Sequence, residues 1–324
     1  MAVGATYAFE LQLTDNATLP ETTTSLPSST VTVSSALTAP AAPTPSGTKL
    51  DVNQVLTVTG KTPTSGSPTY TWQWLISING AAYSAASQCS VNGGAGAVGG
   101  ATETCRIVAS TLAVGDTYSF ELMVTDSADS QETATSLASS MVAVSSALTS
   151  PGAPSASATA LDADQALTVT GKLPSTGTPP YAWQWLISVN GGAYVDATQC
   201  LVNSGSGASV GATETCTVAG NLLTAGATYS FELKVTDSAS TPQMQASLAS
   251  ATVTVSSALS GPATPAVSAT ALDVDQVLTV TGAIPSTGTS PYSWQWMVSV
   301  NGGAYADATQ CVVNNGSGAS GGAP

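Results

Sequence analysis

Apolar and polar residues alternate in short runs along the chain. From residue 70 to residue 78, every second position holds a tyrosine, a tryptophan or an isoleucine, and the positions between are mostly threonine, glutamine and serine. The run from residue 118 to residue 124 has the same alternation, with tyrosine, phenylalanine, leucine and valine. A period of two residues is the signature of a β-strand that buries one face. The pattern therefore predicts strands whose aromatic and aliphatic side chains point into a core.

Turn signals separate these runs. Asn79-Gly80 follows the first run directly, and this pair favours a tight hairpin turn. Proline-containing joints follow the last apolar run of each segment, at residues 151–154 and 261–262. About seven short strands with turns between them are typical of a β-sandwich.

The whole pattern repeats every 111 residues, without insertion or deletion. The sequence Trp-Gln-Trp, for example, occurs at residues 72–74, 183–185 and 294–296. A unit of this length has the size of a complete globular domain. The sequence thus predicts an all-β protein of tandem sandwiches. Its parts are the C-terminal half of a domain at 1–40, whole domains at 41–150 and 151–260, and the N-terminal half of a domain at 261–324.

The chain and its repeat are out of phase. Met1 aligns with Leu112, and Pro324 aligns with Thr102, so both ends of the sequence fall within a repeat. We expect the chain to be a piece of a longer array. The alternative is that the two end halves complete each other between molecules.

The residues around position 118 resemble a known family. The spacing Leu112-x-x-Gly115-x-x-Tyr118 is similar to the tyrosine corner of immunoglobulin-like domains, where the tyrosine hydroxyl bonds to the backbone before strand F. The run from Tyr118 to Asp126 resembles the end of PKD-type and bacterial immunoglobulin-like repeats of prokaryotic surface proteins. The resemblance implies tandem immunoglobulin-like sandwiches in an adhesin stalk or an extracellular filament.

The same resemblance, together with the alternation, indicates the core. Antibody-type domains carry a cystine between strands B and F, and this chain has Phe120 at the F position instead. A tryptophan of residues 72–74 would be the strand C tryptophan. The aromatic residues that we predict in the cores are Trp72, Trp74, Tyr118, Trp183, Trp185, Tyr229, Trp294 and Trp296.

Four of the five cysteines form two pairs with one spacing. Cys89 and Cys105 are 16 residues apart, and Cys200 and Cys216 occupy the equivalent positions of the next repeat. We expect each pair to be a disulfide that closes a long, projecting, glycine-rich loop; two reduced thiols are the alternative. Structural disulfides need an oxidising compartment, which indicates an extracellular or cell-surface location. Cys311 matches Cys89, and its partner would lie beyond the end of the chain.

Charge is sparse and acidic. Five Lys and Arg residues stand against 19 Asp and Glu residues, for a net charge of −14. This balance excludes a nucleic-acid binder, which needs a basic face, and disfavours an anionic membrane surface. No run of about 18 apolar residues is present, so we expect no membrane insertion in this segment. The chain has no histidine, which removes the commonest general base, and we expect no enzyme activity.

Acidic residues recur before strand B and at the end of strand F. Carboxylates placed at a joint between domains could bind Ca²⁺, and we expect no other cofactor. The alternative is that these residues accept hydrogen bonds from backbone N–H groups in turns. The calcium candidates are Asp51, Asp162, Asp164, Asp237, Asp273 and Asp275.

Asn16 and Asn315 lie in sequons that permit N-glycosylation. Taken together, the sequence favours the structural shaft of an extracellular filament or cell-surface adhesin, whose partners are copies of itself. One alternative is a binding module whose loops or exposed aromatic residues recognise surface glycans or proteins of a host or neighbouring cell. Another is a subunit that polymerises through its two half domains.

Overall fold

The computed structural model describes residues 1–321. Within this range the chain forms 30 β-strands and one short 3-10 turn, and no helix there has the length and hydrophobicity to cross a membrane. The strands group into two compact units. One comprises Met1–Ala147 with Ala239–Pro242, and the other comprises Leu148–Ser238 with the chain from Gln243 onward. Each unit contains a complete sandwich and a smaller set of strands.

The first unit begins with two short antiparallel strand pairs. Strand β1 (Thr6–Tyr7) pairs with β4 (Val31–Thr32), and β2 (Gln12–Thr14) pairs with β3 (Thr22–Thr24). These strands correspond to the last third of the repeat. Most of their side chains are exposed to solvent.

The complete sandwich of the first unit has ten strands in two sheets. They are β5 (Thr44–Pro45), β6 (Lys49–Asp51), β7 (Leu56–Lys61), β8 (Tyr70–Ile78), β9 (Ser84–Ala85), β10 (Gly93–Ala97), β11 (Thr102–Ile107), β12 (Thr117–Thr125), β13 (Thr133–Thr135) and β14 (Val142–Ser145). One sheet has the order β10-β8-β12-β14-β6, with β9 beside β8 and β13 beside β12; the other has the order β11-β7-β5. This is an immunoglobulin-like arrangement in which β7, β8 and β12 are strands B, C and F.

The core lies between the central strands β8 and β12 and the opposite sheet. Leu122 pairs with Trp74 in the antiparallel register, and Phe120 pairs with Ile76; all four side chains are buried. The other sheet approaches closely at Gly60, where a Cβ atom would lie 3.0 Å from both Leu122 and Trp74. Burial of each such side chain contributes roughly 1.5–3 kcal/mol to stability, so these two strands hold the sandwich together.

The Asn-Gly pair forms the tight turn that the sequence predicts. Asn79 and Gly80 have φ angles of 53° and 75°, the positive values that the favoured hairpin turn requires. The Asn79 amide donates a hydrogen bond to Asp116 Oδ1 (2.8 Å), and its Oδ1 accepts one from the Thr117 N–H (2.9 Å). The turn after β8 is thereby fastened to the start of β12.

The second unit repeats this sandwich. Its strands are β15 (Ser155–Ala156), β16 (Ala160–Asp162), β17 (Leu167–Lys172), β18 (Tyr181–Val189), β19 (Val195–Asp196), β20 (Ser204–Ala208), β21 (Thr213–Val218), β22 (Thr228–Thr236), β23 (Met244–Ala246) and β24 (Val253–Ser256), with the 3-10 turn at Gly220–Leu222. Leu233 pairs with Trp185, at the positions 111 residues after Leu122 and Trp74. The predicted all-β fold of tandem immunoglobulin-like sandwiches with a 111-residue repeat is confirmed.

The second unit ends in a smaller set of strands. They are β25 (Ala266–Val267), β26 (Val280–Thr281), β27 (Tyr292–Gln295), β28 (Met297–Val298), β29 (Ala306–Asp307) and β30 (Asn315–Ala319). Here one prediction is wrong: Trp294 and Trp296 are only half-buried, whereas Trp183 and Trp185 are buried. Residues 261–321 contain no counterpart of β12 or β22, the strands that pair with β8 and β18 where Trp74 and Trp185 are fully buried. Trp72 in the first sandwich is also half-buried and packs at the margin of the core.

Candidate functional site

A repeated contact joins each linker to the sandwich or strand set that follows it. The linker leucines are Leu37, Leu148 and Leu259, each a few residues after the last strand of a repeat. Leu37 packs on Gly66, in the loop between β7 and β8, where a Cβ atom would lie 2.9 Å from the leucine Cδ1. Leu148 packs on Gly177 in the same way, and Leu259 on Gly288, both at 2.8 Å. We call this contact the linker joint.

Hydrogen bonds reinforce the linker joint. Gly66 donates its N–H to the Ser35 carbonyl (3.0 Å), and Gly288 donates to the Ser257 carbonyl (2.8 Å). The residue after the leucine holds a second bond, because the Thr38 and Ser65 hydroxyl groups lie 2.6 Å apart. The pairs Thr149–Thr176 and Ser260–Thr287 repeat that hydroxyl contact at 2.6 Å. Each linker is therefore held by apolar and polar contacts that recur from repeat to repeat.

An aspartate organises the loop that receives the linker. Asp126, just after β12, accepts hydrogen bonds from the backbone N–H groups of Glu132 (2.9 Å) and Ser67 (3.0 Å). These bonds lower the pKa of the Asp126 carboxyl below its ordinary value, against the opposing effect of burial. The Glu132 side chain in turn accepts the N–H of Leu37 (2.6 Å). Asp126 thus connects the end of strand F, the β7–β8 loop and the linker.

The second repeat has the same arrangement, except that Gln243 replaces the glutamate at the position of Glu132. Asp237 Oδ1 accepts the N–H of Gln243 (2.8 Å), and the Gln243 side chain accepts the N–H of Leu148 (3.2 Å). The linker joint itself was not predicted from the sequence. The 111-residue recurrence of the leucine, the loop glycine and the Val-Thr-Asp sequence was the available signal, but it did not show that the three lie together.

The structure distributes the calcium candidates over different environments. Asp51 is buried, whereas Asp164, Asp273 and Asp275 are exposed. Asp162 is half-buried and accepts a hydrogen bond from the Thr289 hydroxyl (2.6 Å), while Asp237 is buried and takes the backbone bond described above. Among residues 1–321, no group of three or more His, Cys, Asp or Glu side chains is placed to hold a metal ion.

The residues before strand B form a closed turn. Asp51, Asp162 and Asp273 each donate their own N–H to the side-chain carbonyl of a glutamine three residues later, at 3.1–3.2 Å. The glutamine N–H returns a bond to the aspartate carbonyl, as between Gln54 and Asp51 (2.8 Å). These contacts account for the recurrence of the Asp-x-x-Gln sequence as a turn.

The disulfides lie inside the sandwiches. Cys89 is bonded to Cys105, and Cys200 to Cys216, with Cα–Cα distances of 5.0 Å. Cys105 is fully buried in β11 and Cys89 is buried after β9, so the bond ties the excursion that follows strand C to the opposite sheet. Cys311 is a free, half-buried thiol in the described part of the chain.

The glycine-rich segment between the paired cysteines does not project, contrary to the prediction. It forms β10, an edge strand that pairs antiparallel with β8. The segment lies flat because its glycines fit over a tryptophan: a Cβ atom at Gly94 would lie 3.1 Å from the Trp72 indole, and one at Gly205 would lie 2.8 Å from that of Trp183. Trp74 and Trp185 beneath are fully buried. The edge strand, rather than a loop, is the repeated feature here.

The tyrosine corner forms at Tyr7, Tyr118 and Tyr229, which are equivalent positions of the repeat. The Tyr118 hydroxyl accepts the Ala113 N–H (2.9 Å), and the Tyr229 hydroxyl accepts the Thr224 N–H (2.9 Å). The Tyr7 hydroxyl accepts the Ala2 N–H (2.8 Å) in the first strand set.

Asn16 and Asn315, the sequon residues, are exposed, the former in the loop after β2 and the latter at the start of β30.

No family model matches the chain, and no curated protein matches it. Among solved structures, the chain is similar to the crystal structure of the ICAM-5 D1–D4 ectodomain fragment, with 13% sequence identity and a TM-score of 0.39. That alignment covers 96% of this chain and 82% of the other.

Proposed function

We propose that this protein is the structural shaft of an extracellular filament or cell-surface adhesin. One observation carries the proposal: in each sandwich, a strand near the beginning of the domain runs parallel to the last strand and is bonded to it. β6 pairs with β14 in the first sandwich, and β16 pairs with β24 in the second. A force that pulls the two ends of a domain apart acts along these strands, so all the bonds between them must shear together.

Specific hydrogen bonds define this parallel clamp. In the first sandwich the Ala143 N–H donates to the Thr48 carbonyl, and the Val52 N–H donates to the Ser145 carbonyl, both at 2.9 Å. In the second sandwich the Thr254 N–H donates to Thr159, and the Ala163 N–H donates to Ser256, also at 2.9 Å. A shaft that transmits tension requires such a parallel strand pairing in every domain of the array.

Three further features support an extracellular shaft. The linker joint recurs as a leucine on a glycine with a neighbouring pair of hydroxyl groups, at similar distances, which suits an array of equivalent domains. The buried disulfides suit an oxidising compartment, and the sparse surface charge gives the protein little attraction for nucleic acid or anionic lipid. The proposal assigns the protein no catalytic role and no cofactor.

The carbohydrate-binding alternative has less support. Sugar-binding platforms need an exposed aromatic face, and in the complete sandwiches Trp74 and Trp185 are fully buried. Glycine backbone lies over Trp72 and Trp183. A binding role would therefore depend on loops rather than on these tryptophans.

Single-molecule force spectroscopy of the chain tests the proposal. We expect two main unfolding events of similar force, one for each complete sandwich. Ala163→Pro removes the N–H that donates to Ser256 and should lower the force of one event only. Ala153→Pro, at an exposed linker position, is the control and should change neither event.

The disulfides provide a control within the same force measurements. Each disulfide joins cysteines with a sequence separation of 16 residues, so the segment between them cannot be stretched while the bond is intact. Reductant should therefore lengthen each unfolding step by about 5 nm.

If the unaltered chain unfolds at the same force as Ala163→Pro, the parallel pairing bears no tension and the proposed shaft is wrong.

A further inference from the structure

The glycine-rich strand of each complete sandwich lies at an edge of the larger sheet. In the first sandwich this strand is β10, whose one strand neighbour is β8; in the second it is β20, beside β18. The outer side of such a strand presents a row of backbone N–H and C=O groups to which another strand can bond. Each complete sandwich therefore has an edge where a further strand can add.

The hydrogen bonds to β8 show which groups of β10 point outward. The Trp74 N–H donates to the Asn92 carbonyl (2.7 Å), directly before β10. Residues that bond across an antiparallel pair alternate with residues that do not, so Gly94 bonds to β8, whereas Gly93 and Ala95 direct their N–H and C=O groups away from it. These two residues thus offer backbone donors and acceptors to an added strand.

The second sandwich has the same pattern. The Trp185 N–H donates to the Asn203 carbonyl, also at 2.7 Å. Ser204 and Ser206 therefore take the outward positions of β20, and the side chains of both are exposed. The two sandwiches offer the same outward groups at positions 111 residues apart.

The other edge strands of the sandwiches carry features that block strand addition. Natural sheets protect their edges with charged residues, with prolines or with very short strands. By contrast, Gly93–Ala97 and Ser204–Ala208 contain no charged residue and no proline. The strand β15 has only two residues, and the protecting residues of the other edges are Pro45 in β5, Lys49 and Asp51 in β6, Glu103 and Arg106 in β11, Asp162 in β16 and Glu214 in β21.

A bulge limits the open edge to part of β10. The pairing with β8 shifts register between Ala95 and Ala97, and Gly96 between them has a φ angle of 84°. Such a bulge ends regular pairing. An added strand therefore fits the part of β10 up to Ala95, which includes both outward residues.

Charge and hydrophobicity indicate a second copy of this chain as the source of the added strand. The net charge of −14 makes two copies repel each other over most of their surface. Residues 90–102 and 200–213 include no charged residue, so two copies can meet there without that repulsion. Contact at this edge also covers exposed apolar side chains, which favours association. These side chains are Val91 and Val98 in the first sandwich and Leu201, Val202 and Val210 in the second.

We propose that β10 or β20 of one molecule pairs antiparallel with the same strand of a second copy, so that their larger sheets become continuous. Two-fold symmetry and the outward groups set the register. With Gly94 opposite Gly94 of the second copy, Gly93 faces Ala95 of that copy, and the facing residues exchange both N–H···O=C bonds. In β20 the equivalent register places Ser204 opposite Ser206 of the second copy. The contact uses the same surface on both copies, so each pairing closes on itself.

Side-by-side pairing of this kind would bundle the proposed shafts and, for its biological meaning, rests on that proposed function. Association is measured on mixtures of molecules, whereas the tension test is made on single chains. Either result can therefore fail while the other stands.

Two single cysteine variants test the contact and its register. Ser204→Cys and Ser206→Cys are made separately in the chain that carries Cys311→Ser. An equal mixture of the two should give disulfide-linked dimers on a non-reducing denaturing gel after mild oxidation, because the two thiols lie directly opposite each other. Either variant alone should give about ten-fold less dimer, since identical positions lie diagonally across the contact, beyond the Cα–Cα reach of a disulfide.

Sedimentation velocity provides the second measurement. The unaltered chain should show concentration-dependent association, and the double substitution Ala95→Lys with Ser206→Lys should weaken it by about ten-fold or more, because like charges then meet at the contact. Thr104→Lys with Thr215→Lys is the matched control, since it adds the same charge at exposed positions of β11 and β21 and should leave association unchanged.

Three results would overturn the proposal. One is an unaltered chain that stays monomeric at every concentration. Another is equal association of the two lysine variants. The third is a yield of cross-linked dimer from either cysteine variant alone that equals the yield from the mixture.

Discussion

Leu148 and Gly177 lie so close that a Cβ atom on the glycine would stand 2.8 Å from the leucine Cδ1. Gly177 also has a φ angle of +89°, a conformation that glycine adopts without strain. The same pairing recurs as Leu37 with Gly66. The loop therefore needs glycine for two separate reasons, its backbone and the linker side chain that rests on it.

The substitution Gly177→Ala should lower the free energy of unfolding by more than the backbone strain alone. The left-handed conformation costs a non-glycine residue about 1–2 kcal/mol, and displacement of Leu148 adds to that cost. Gly226→Ala is a matched control, because Gly226 has a φ angle of +82° and nothing within 4 Å of the added Cβ. Urea unfolding measures both variants; equal losses would show that Leu148 does not rest on the glycine.

Loss of one hydroxyl group should weaken the tyrosine corner. In Tyr229→Phe the Thr224 N–H loses its acceptor beside a side chain that is only 3% exposed. Thr224 itself is exposed, so the expected cost is that of one lost hydrogen bond, about 0.5–1.5 kcal/mol, and the urea midpoint should fall accordingly. Tyr194→Phe removes a hydroxyl that bonds to Ser230 at a half-buried site and should cost less than half as much. A larger loss of stability in Tyr194→Phe than in Tyr229→Phe would contradict the stabilising role of the Tyr229 hydroxyl.

Removal of one disulfide should destabilise one sandwich. The double substitution Cys89→Ala with Cys105→Ala frees a short loop in the unfolded chain and should cost about 3 kcal/mol. Calorimetry should show one transition moved to lower temperature and the other unchanged. Cys311→Ser, which breaks no disulfide, should leave both transitions in place. Melting curves that are identical with and without reductant would rule out a stabilising role for either bond.

Asp126 should make stability depend on pH in the acidic range. Its pKa is lowered in the folded protein, so its contribution is present above the unfolded pKa and is lost as the pH falls through the folded pKa. Asp126→Asn should therefore lower the melting temperature at neutral pH, and the difference from the unaltered chain should shrink below about pH 4. Asp129→Asn, at an exposed position nearby, should show no such convergence. A difference that stays constant with pH would place the stabilisation elsewhere.

The central strands could be predicted because their signal is local. Alternation in residues 70–78 and 118–124 indicated the buried faces of β8 and β12, and the exact 111-residue recurrence showed that each repeat folds alike. The Asn-Gly turn and the tyrosine corner are also short-range patterns whose residues have fixed conformational preferences. Each of these features appears in the structure where the sequence indicated it.

The glycine-rich segment shows where local reasoning fails. Five residues of small side chain, Gly93–Ala97, have no apolar alternation and little strand propensity, so the sequence indicated a projecting loop. The segment becomes an edge strand because the Trp72 indole offers a flat surface that only glycine can approach closely. That surface belongs to β8, some 20 residues earlier, and its role depends on tertiary packing.

The sequence by itself determined the strand pattern, the size of the repeat and the spacing of the cysteines, because side-chain alternation and turn preferences act between neighbours along the chain. Only the tertiary structure decided which distant residues meet: the linker leucine with the loop glycine, and Asp126 with Glu132 and Ser67. The physical reason is that such contacts depend on how two sheets pack, and packing brings together residues whose separation along the chain carries no periodic signal.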